Sequence, residues 1–389
     1  MKKVYMDNAA ATRLLPEARE AMLPFLGDDY GNPSSLHEWG DAAREQVAGL
    51  INADPEEIYF TSGGTESNNF AVKGMALMQR AKGKHIVVSA IEHFSVLQAA
   101  ETLKKLDFEV TEVPVDKHGV VDPAGVKKAI RPDTVLVSVM HANGEIGVIE
   151  PVKEIAAITQ EMKVPLHTDA VATAGTIPVD VKDLGVNALS LAGMNFYGPK
   201  GTGALYVKKG TRIMTLLDGG IQEGGRRGGT ENVAGIAGMG VAAEIAKRDM
   251  AARIKQVTPL RDRLLKELPP AVQHMVVTGP SGKGRLPGHA SFCTEFIEGE
   301  AQLMLMSSKG IAVSSGSACT SKALKASHVL LAIGLSHEIA QGSILFTMGL
   351  DNSGEDIDYI VETMPSIVER LRQMSPLYAK FQKSGKGGA

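Results

Sequence analysis

Residues 56–90 read EEIYFTSGGTESNNFAVKGMALMQRAKGKHIVVSA, and this stretch decides the fold. A short apolar run leads into a glycine turn, then into a helical segment and a second apolar run. The same alternation continues to residue 209. Strands separated by helices of roughly 10–15 residues are typical of a mostly parallel sheet with helices on both faces. The sequence therefore predicts a large α/β domain.

The alternation of strands and helices changes after a long helical segment over residues 232–267. Strand-like runs with fewer crossovers follow, together with a last helix over residues 355–374, and this pattern favours a smaller α+β domain. We expect residues 1–14 to pack with this small domain and residues 15–255 to form the large domain. Residues 256–380 are expected to form the small domain, and residues 381–389 a disordered tail.

Composition limits the classes of function. The 389 residues carry a net charge of −3 and are 44% hydrophobic, which gives no basic surface for nucleic acid or for a membrane. No signal peptide opens the chain at MKKVYMDNAAATR, and no apolar run approaches about 18 residues. We therefore expect a cytoplasmic protein whose partners are small molecules and other proteins.

In parallel α/β sheets, ligands bind beyond the carboxyl ends of the strands. The first such place is GGTESNN, residues 63–69, where glycines allow close approach of the backbone and Thr65 begins a helix. Free backbone N–H groups and the helix dipole favour a phosphate there. Alternatively, Thr65 is a helix N-cap with Glu66 in the first turn.

His93 and Asp169 follow two later strands. The imidazole of His93, at a helix start, could stack on a flat cofactor or move a proton, or it could be an ordinary polar residue. Asp169 ends an apolar strand, where its desolvation must be offset by a cationic or hydrogen-bonding partner such as a protonated pyridine nitrogen. A turn-forming aspartate is the alternative.

The two cysteines, Cys293 and Cys319, are too few for a disulfide framework or for paired zinc ligands. Cys319 lies in SSGSACTS, residues 314–321, where small residues offer little core to pack against and suit a nucleophilic thiol. Cys293 lies in the strand-like run ASFCTEF and is interpreted as a buried packing residue.

Together these motifs resemble the cysteine desulfurases of the NifS/IscS type, in the aminotransferase class V branch of fold-type I pyridoxal phosphate (PLP) enzymes. The resemblance covers nearly the whole chain through the following segments: YMDNAAATR, YGNPSSLHEWG, FTSGGTESNN, EH at residues 92–93, NGEIGVI, TDAV, YGPKGTGALY, RRGGTEN, SSGSACTS and SHVLLAIGL. It implies a fold-type I large domain with a mostly parallel seven-stranded sheet, a small α+β domain and a homodimer.

The resemblance also implies a cofactor site. PLP phosphate would lie at Thr65, His93 would stack on the ring, and Asp169 would pair with the pyridine nitrogen. Thr230 would reach the phosphate of the partner subunit. The cofactor-binding residues that follow from the resemblance are Thr65, Glu66, His93, Asn143, Asp169, Asn195 and Thr230.

Cys319 and His93 are the catalytic residues that the resemblance implies. Cys319 would take sulfur from L-cysteine as a persulfide and pass it to an iron–sulfur scaffold or another acceptor protein. The loop SSGSACTS is similar to the longer loop of the iron–sulfur assembly branch, so Cys319 is also a candidate ligand of a cluster shared with a partner.

Several positions depart from the family pattern. Before YGPKG the family has Ser, any residue, His, Lys and one further residue, whereas this chain has Ala192, Met194 and Asn195 at the serine, histidine and lysine positions. Asn195 thus replaces the Schiff-base lysine, and an amide nitrogen cannot form an imine. Ala172 replaces a glutamine that contacts PLP, and Leu345 replaces the arginine that binds the substrate carboxylate. Any PLP would be held non-covalently.

Three hypotheses about function follow. The first is a desulfurase-family protein whose lysine-dependent catalysis is lost or impaired and whose Cys319 remains a persulfide carrier or cluster ligand. The second is a working cysteine desulfurase that converts L-cysteine to L-alanine and an enzyme persulfide with non-covalent PLP, His93 moving the proton. The third is a non-catalytic binding or scaffold protein whose more apolar pocket has been reused.

Overall fold

The computed structural model describes residues 2–27, 41–316 and 326–384. The strands in chain order are β1 (Val4–Tyr5), β2 (Ile58–Thr61), β3 (His85–Ser89), β4 (Glu109–Val113), β5 (Thr134–Ser138), β6 (Leu166–Asp169), β7 (Ala188–Ala192), β8 (Gly203–Val207), β9 (Met275–Val277), β10 (His289–Thr294), β11 (Ile311–Ala312) and β12 (Ser343–Thr347).

The α-helices are α1 (Pro16–Met22), α2 (Asp41–Ile51), α3 (Gly64–Met78), α4 (Phe94–Lys104), α5 (Pro123–Ala129), α6 (Val152–Glu161), α7 (Val181–Leu184), α8 (Gln222–Gly225), α9 (Val233–Ala271), α10 (Gly299–Ser308), α11 (His328–Ala332), α12 (His337–Ala340), α13 (Gly354–Gln373) and α14 (Pro376–Lys383). Short 3₁₀ turns cover Pro24–Leu26, Pro55–Glu57, Gly193–Asn195 and Gly282–Gly284.

The central sheet has seven strands in the order β2, β8, β7, β6, β5, β3, β4. The pairs within β7-β6-β5-β3-β4 are parallel, whereas β8 is antiparallel to both of its neighbours, β7 and β2. Because β8 reverses the direction on both sides, β2 runs parallel to β7. The carboxyl ends of β2, β6 and β7 therefore lie at the same edge, and the predicted mostly parallel seven-stranded sheet is confirmed.

The sheet is covered on both faces. Ile86 and Val88 of β3 pack in a core with α3 and α4, whereas Val87 between them packs in the core that contains α2, α6 and α9. Side chains alternate between the two faces of a strand, so a strand covered on both sides must be apolar at every position. This requirement explains the continuous apolar runs that β3, β5 and β7 show in the sequence.

A second core lies around the antiparallel sheet β12-β10-β9, with α10 and α13 packed on it. The N-terminal segment joins this core through Val4 and Met6, and β1 pairs in parallel with β11. Helix α9 contributes to both cores, through residues such as Met239 in the first and Leu264 in the second. The predicted boundary at residue 255 lies within this continuous helix and stays a prediction.

The end of the chain differs from the expected disordered tail. Helix α14 runs to Lys383, so residues 381–383 are helical. The ring of Phe381 stacks on Phe296 at 4.6 Å and meets the edge of His274 at 5.2 Å, which holds the helix against the small domain. Residues 385–389 lie outside the described part of the chain. No helix among the described residues is long and apolar enough to span a membrane.

Candidate functional site

A cavity of about 650 Å³ opens at the carboxyl ends of β2, β6 and β7. Its other walls come from the N-terminal segment, from α9, and from the small domain around β12. A cavity of this size, between two domains and at the carboxyl edge of a parallel sheet, is suited to a small-molecule ligand. The sequence placed its candidate residues at this edge.

A glycine turn between β2 and α3 forms one wall. The backbone of Gly63 has φ of 148°, and a Cβ on Gly203 would lie only 2.6 Å from the Gly63 Cα, so a side chain would not fit there. Gly63 is the N-cap of α3 and no side chain among the described residues caps the helix. Thr65 is therefore in the first turn and is not the cap residue; it is exposed and lines the cavity. The first-turn N–H groups remain available to an anion.

Glu66 supports this turn through an ion pair. Its Oε1 accepts a hydrogen bond from Arg227 Nε at 2.7 Å, and its Oε2 accepts one from the backbone N of Ser62 at 2.9 Å. Burial acts to raise the pKa of Glu66, but these hydrogen bonds outweigh burial and lower it. The ion pair ties the turn to the segment that carries Thr230, which is exposed and does not line the cavity of its own chain.

Asp169, at the end of β6, lies in a chain of hydrogen bonds. Its Oδ1 accepts from Val171 N at 2.9 Å and its Oδ2 from Asn68 Nδ2 at 2.6 Å. The same Nδ2 donates to Ser95 Oγ at 2.8 Å, and Ser95 Oγ lies 2.7 Å from His93 Nδ1. Within this chain the Oδ1 of Asn68 is buried without a partner.

The same hydrogen bonds fix the tautomer of His93. The Nδ1 atom accepts from the backbone N of Ser95 at 3.1 Å, as a helix N-cap does. A neutral ring that accepts at Nδ1 carries its proton at Nε2. His93 is exposed and lines the cavity, so it lies where the sequence placed it, at the start of α4.

The environment of Asp169 fits a cationic ligand group. Burial raises the pKa of Asp169, whereas nearby His93 and the hydrogen bonds from Val171 and Asn68 lower it. Val171 N and Asn68 Nδ2 are neutral donors, so they orient the carboxyl group without supplying a full positive charge. A protonated ring nitrogen would supply that charge inside the cavity.

Asn143 has a local structural role. Its Oδ1 accepts from the backbone N atoms of Glu145 and Ile146, both at 2.9 Å, and its Nδ2 donates to Ile91 O at 2.9 Å. The side chain thus holds together a turn that lines the cavity. Its contact with a cofactor stays a prediction.

The positions that we expect to depart from the family pattern meet in this cavity: Ala172, Ala192, Met194, Asn195 and Leu345 all line it. Asn195 Nδ2 donates to Ala9 O at 3.2 Å, while Asn195 Oδ1 is buried without a partner. Leu345 lies in β12, where its backbone pairs with Ser314. No lysine among the described residues lines the cavity.

The residues present fit the non-covalent contacts of PLP but not its covalent attachment. The uncapped start of α3, the buried Asp169 and the exposed ring of His93 suit a phosphate, a ring nitrogen and a flat ring. A covalent link to a lysine has no residue to carry it among the described residues of the cavity. The site therefore fits non-covalent PLP.

Cys319 lies outside the described residues. The chain reaches this undescribed segment from Gly316 and leaves it towards His328, and both of these residues line the cavity. Between them, Ser327 Oγ donates to Glu145 Oε2 at 2.8 Å. Cys293 is buried in β10 as predicted, and burial raises the pKa of its thiol to about 12.

Sequence reasoning missed three residues of this site. Asn68 and Ser95 link Asp169 to His93, but they lie on different helices, so only the folded chain shows the link. Arg253 lines the cavity from α9. A signal for Arg253 was present, because it falls between Ala246 and Val257 on the apolar stripe of that helix, where a charge is unusual.

Fold and site together define the class of protein. The sequence pattern of the family described as aminotransferase class-V matches residues 4–360, and the chain belongs to this family. Enzymes of this class depend on PLP, which supports PLP as the cofactor of the cavity.

Within the family, the chain is similar to cysteine desulfurases. It is 49% identical to the cysteine desulfurase IscS of Dictyoglomus turgidum, over 99% of both chains. Among solved structures, a NifS-like protein has a TM-score of 0.89 and 36% identity, covering 95% of this chain and all of that one. SspA in complex with cysteine has a TM-score of 0.78 and 33% identity, covering 89% and 99%. The predicted family and fold are confirmed.

Proposed function

We propose that this protein acts in sulfur mobilisation for iron–sulfur cluster assembly, as a desulfurase-family member with lost or impaired lysine-dependent catalysis. Cys319 would serve as the persulfide carrier or as a ligand of a shared cluster. The observation that carries the proposal is the meeting of Ala172, Asn195 and Leu345 in one cavity that keeps Asp169 and His93. The cavity is altered at the lysine position, at the substrate arginine position and at one PLP contact, yet it keeps Asp169 and His93, which favours loss of catalysis over loss of cofactor.

Named residues would hold PLP in this cavity. The start of α3 at Thr65 would hold the phosphate, Asp169 the ring nitrogen and His93 the ring face. When bound, PLP supplies an electron sink for carbanion chemistry. The protein would contribute the orientation of the ring through Asn68 and a proton-carrying Nε2 on His93.

The carrier role of Cys319 needs a sulfur donor. The Cys319 thiolate would attack the outer sulfur of a donor persulfide, and the donor would leave as a thiolate, so that no net oxidation takes place. A second transfer of the same kind would pass the sulfur to an acceptor protein. Curated relatives of this chain are cysteine desulfurases, and IscS-type desulfurases use L-cysteine and pass sulfur to acceptor proteins.

We also propose a homodimer. Thr230 is exposed and lies outside the cavity of its own chain, which supports a contact with the phosphate of a partner subunit. The ion pair between Glu66 and Arg227 would hold the segment of Thr230 beside the phosphate turn.

The second hypothesis, a working desulfurase with non-covalent PLP, is supported by the hydrogen-bonded Asp169 and His93. Loss of one well-placed general base typically costs about 10²–10⁴ in rate, so this enzyme would be slow. The two hypotheses differ in whether sulfide forms from L-cysteine in the presence of added PLP.

The test compares the wild-type protein, Asn195→Lys, Asn195→Lys combined with Leu345→Arg, and Cys319→Ala. We expect the wild type to form no lysine-bound coenzyme band in the visible spectrum and to release little sulfide, and we expect the double variant to gain activity. Rapid sulfide release by the wild type, abolished in Cys319→Ala, would favour the second hypothesis. A borohydride-fixed pyridoxyl adduct on a cavity residue of the wild type would contradict the proposal.

A further inference from the structure

Arg253 is buried in the wall that α9 contributes to the cavity. It lies on α9 with only 8% of its surface exposed, and it lines the cavity. Ala246 and Val257 lie on the same buried stripe of the helix, which turns the arginine inward and keeps it from solvent. Burying a guanidinium is unfavourable unless acceptors or an anion surround it.

Other buried arginines in the described part of the chain have such acceptors. Arg261, on the same helix, donates to Asp262 and to the carbonyl oxygens of Arg285 and Leu286. Arg285 donates to backbone oxygens of the small domain, and so does Arg372. By contrast, the Nε and Nη1 atoms of Arg253 are buried and have no hydrogen-bond partner.

The side chains of Tyr197 and Asp249 do not supply the acceptors that Arg253 lacks. Its guanidinium lies 5.1 Å from the centre of the Tyr197 ring, a cation–π contact that provides attraction but no acceptor atom for the two N–H groups. The carboxylate one turn away, Asp249, is half-buried and paired with Arg248. Burial lowers the pKa of Arg253 but leaves a guanidinium charged at neutral pH.

The cavity also carries an unpaired acceptor. Asn195 lies two residues before Tyr197 in the turn after β7, and its buried Oδ1 has no donor. Leu345 offers no charge to a ligand carboxylate. An α-amino acid has both of the groups that are missing, because its carboxylate accepts hydrogen bonds and its ammonium donates them.

We infer that Arg253 is the carboxylate-binding residue of the cavity, that its ligand is a small α-amino acid, and that Asn195 Oδ1 accepts from the ammonium group. The arginine would thus act from α9 in place of the arginine that the family pattern has at position 345. The inference deepens the proposed function by assigning a binding residue to its amino-acid ligand. It requires binding only and no turnover.

The test measures binding of L-alanine to the full-length protein by calorimetry. L-alanine is used because it has no thiol and so cannot donate sulfur. Ethylamine, which has the amine but no carboxylate, tests whether binding depends on the carboxylate. We expect Arg253→Met to weaken L-alanine binding by roughly tens- to hundreds-fold, because charge-assisted hydrogen bonds are lost. The affinity of Arg253→Lys should lie between those of the wild type and Arg253→Met. Arg248→Met, an exposed change on the same helix, should bind like the wild type.

The thermal midpoint without ligand separates a binding role from a structural one. Arg253→Met removes a buried charge whose Nε and Nη1 atoms lack acceptors, so we expect a midpoint at or above that of the wild type. A clearly lower midpoint or failure to fold, in Arg253→Met and Arg253→Lys alike, would mean that the arginine is structural and would overturn the inference.

Further outcomes would also contradict it: equal affinity of Arg253→Met and wild type, no L-alanine binding by the wild type, or ethylamine binding as tight as L-alanine binding. Binding of inorganic phosphate as tight as that of L-alanine, and dependent on Arg253, would show a general anion site. Failure of the proposed function looks different, because a wild type without desulfurase activity can still bind L-alanine through Arg253.

Discussion

Two sides of the cavity differ in how their polar groups are satisfied. On the first side, both oxygens of Asp169 accept hydrogen bonds, and the chain continues through Asn68 and Ser95 to His93, with Asn68 Oδ1 the one buried atom of this network that has no partner among the described residues. On the second side, Arg253 has two buried donor atoms without acceptors, and Asn195 has a buried acceptor without a donor.

This difference separates a preorganised site from an incomplete one. A connected hydrogen-bond network orients Asp169 before any ligand binds, so the free-energy cost of reorganising the site on binding a ring is small. Unpaired buried groups are tolerated when a ligand completes them, because their cost is then recovered on binding. We therefore expect changes on the first side to affect PLP and changes on the second side to affect the amino acid.

The largest effect is expected for Asp169→Asn. The change leaves a protonated ring nitrogen without its counter-charge in a buried site, and removing one partner of a buried pair costs about 3–5 kcal/mol. We expect the affinity for PLP to fall by at least ~100-fold in a fluorescence titration.

Two controls make the Asp169 result specific. Arg253→Met, on the second side, should change PLP affinity by no more than a few-fold, and Asp180→Asn, at the N-cap of α7 and outside the cavity lining, should not change it. Equal losses in Asp169→Asn and Arg253→Met would show that the two sides do not act separately.

A smaller effect, on stability, is expected for Glu92→Gln. Glu92 is fully buried; its Oε1 accepts from Ser89 Oγ and Met140 N, whereas its Oε2 has no partner. Burial, opposed by these two hydrogen bonds, raises the pKa of Glu92 to about 8. Between its unfolded pKa of about 4.5 and this value, only the unfolded chain gives up the proton, so the stability contributed by Glu92 is lost as pH rises.

Glutamine keeps the Oε1 acceptor and does not titrate. The free energy of unfolding of Glu92→Gln, relative to wild type, should therefore increase by about 2–4 kcal/mol between pH 4.5 and pH 8.5. Urea titrations at several pH values measure this difference, and Glu101→Gln, at an exposed pair with Lys104, is the matched control. A Glu92→Gln curve parallel to wild type would show that the carboxyl group has an ordinary pKa.

The sequence predicted the framework better than the site. Strands such as β3 and β5 are local apolar runs, and Asp169 is the last residue of β6, so local patterns were enough to predict the strands and to place Asp169 at the sheet edge. The partners of these residues come from distant parts of the chain. Asn68 is separated from Asp169 by 101 positions, and pairings at that range depend on the packing of α3 against the sheet.

Arg253, on the second side of the cavity, shows the same limit of prediction from sequence. Its place on an apolar stripe is visible in the sequence, but a buried arginine is usually paired, as Arg261 and Arg372 are. Only the folded chain shows that its Nε and Nη1 atoms have no acceptor among the described residues. Burial can thus be inferred from periodicity, whereas hydrogen-bond satisfaction requires the coordinates.

The smallest effect on PLP affinity is expected for a change at Ser95, which links Asn68 to His93 on the first side of the cavity. Ser95→Ala removes the hydroxyl between Asn68 and His93, a neutral hydrogen bond worth about 0.5–1.5 kcal/mol, so PLP affinity should fall by roughly 2–10-fold. If the residues act as one network, Ser95→Ala should have less effect in an Asn68→Ala background, and titration of both single variants and the double variant measures this coupling. Strictly additive losses would mean that His93 is positioned by its own helix and not by Asp169.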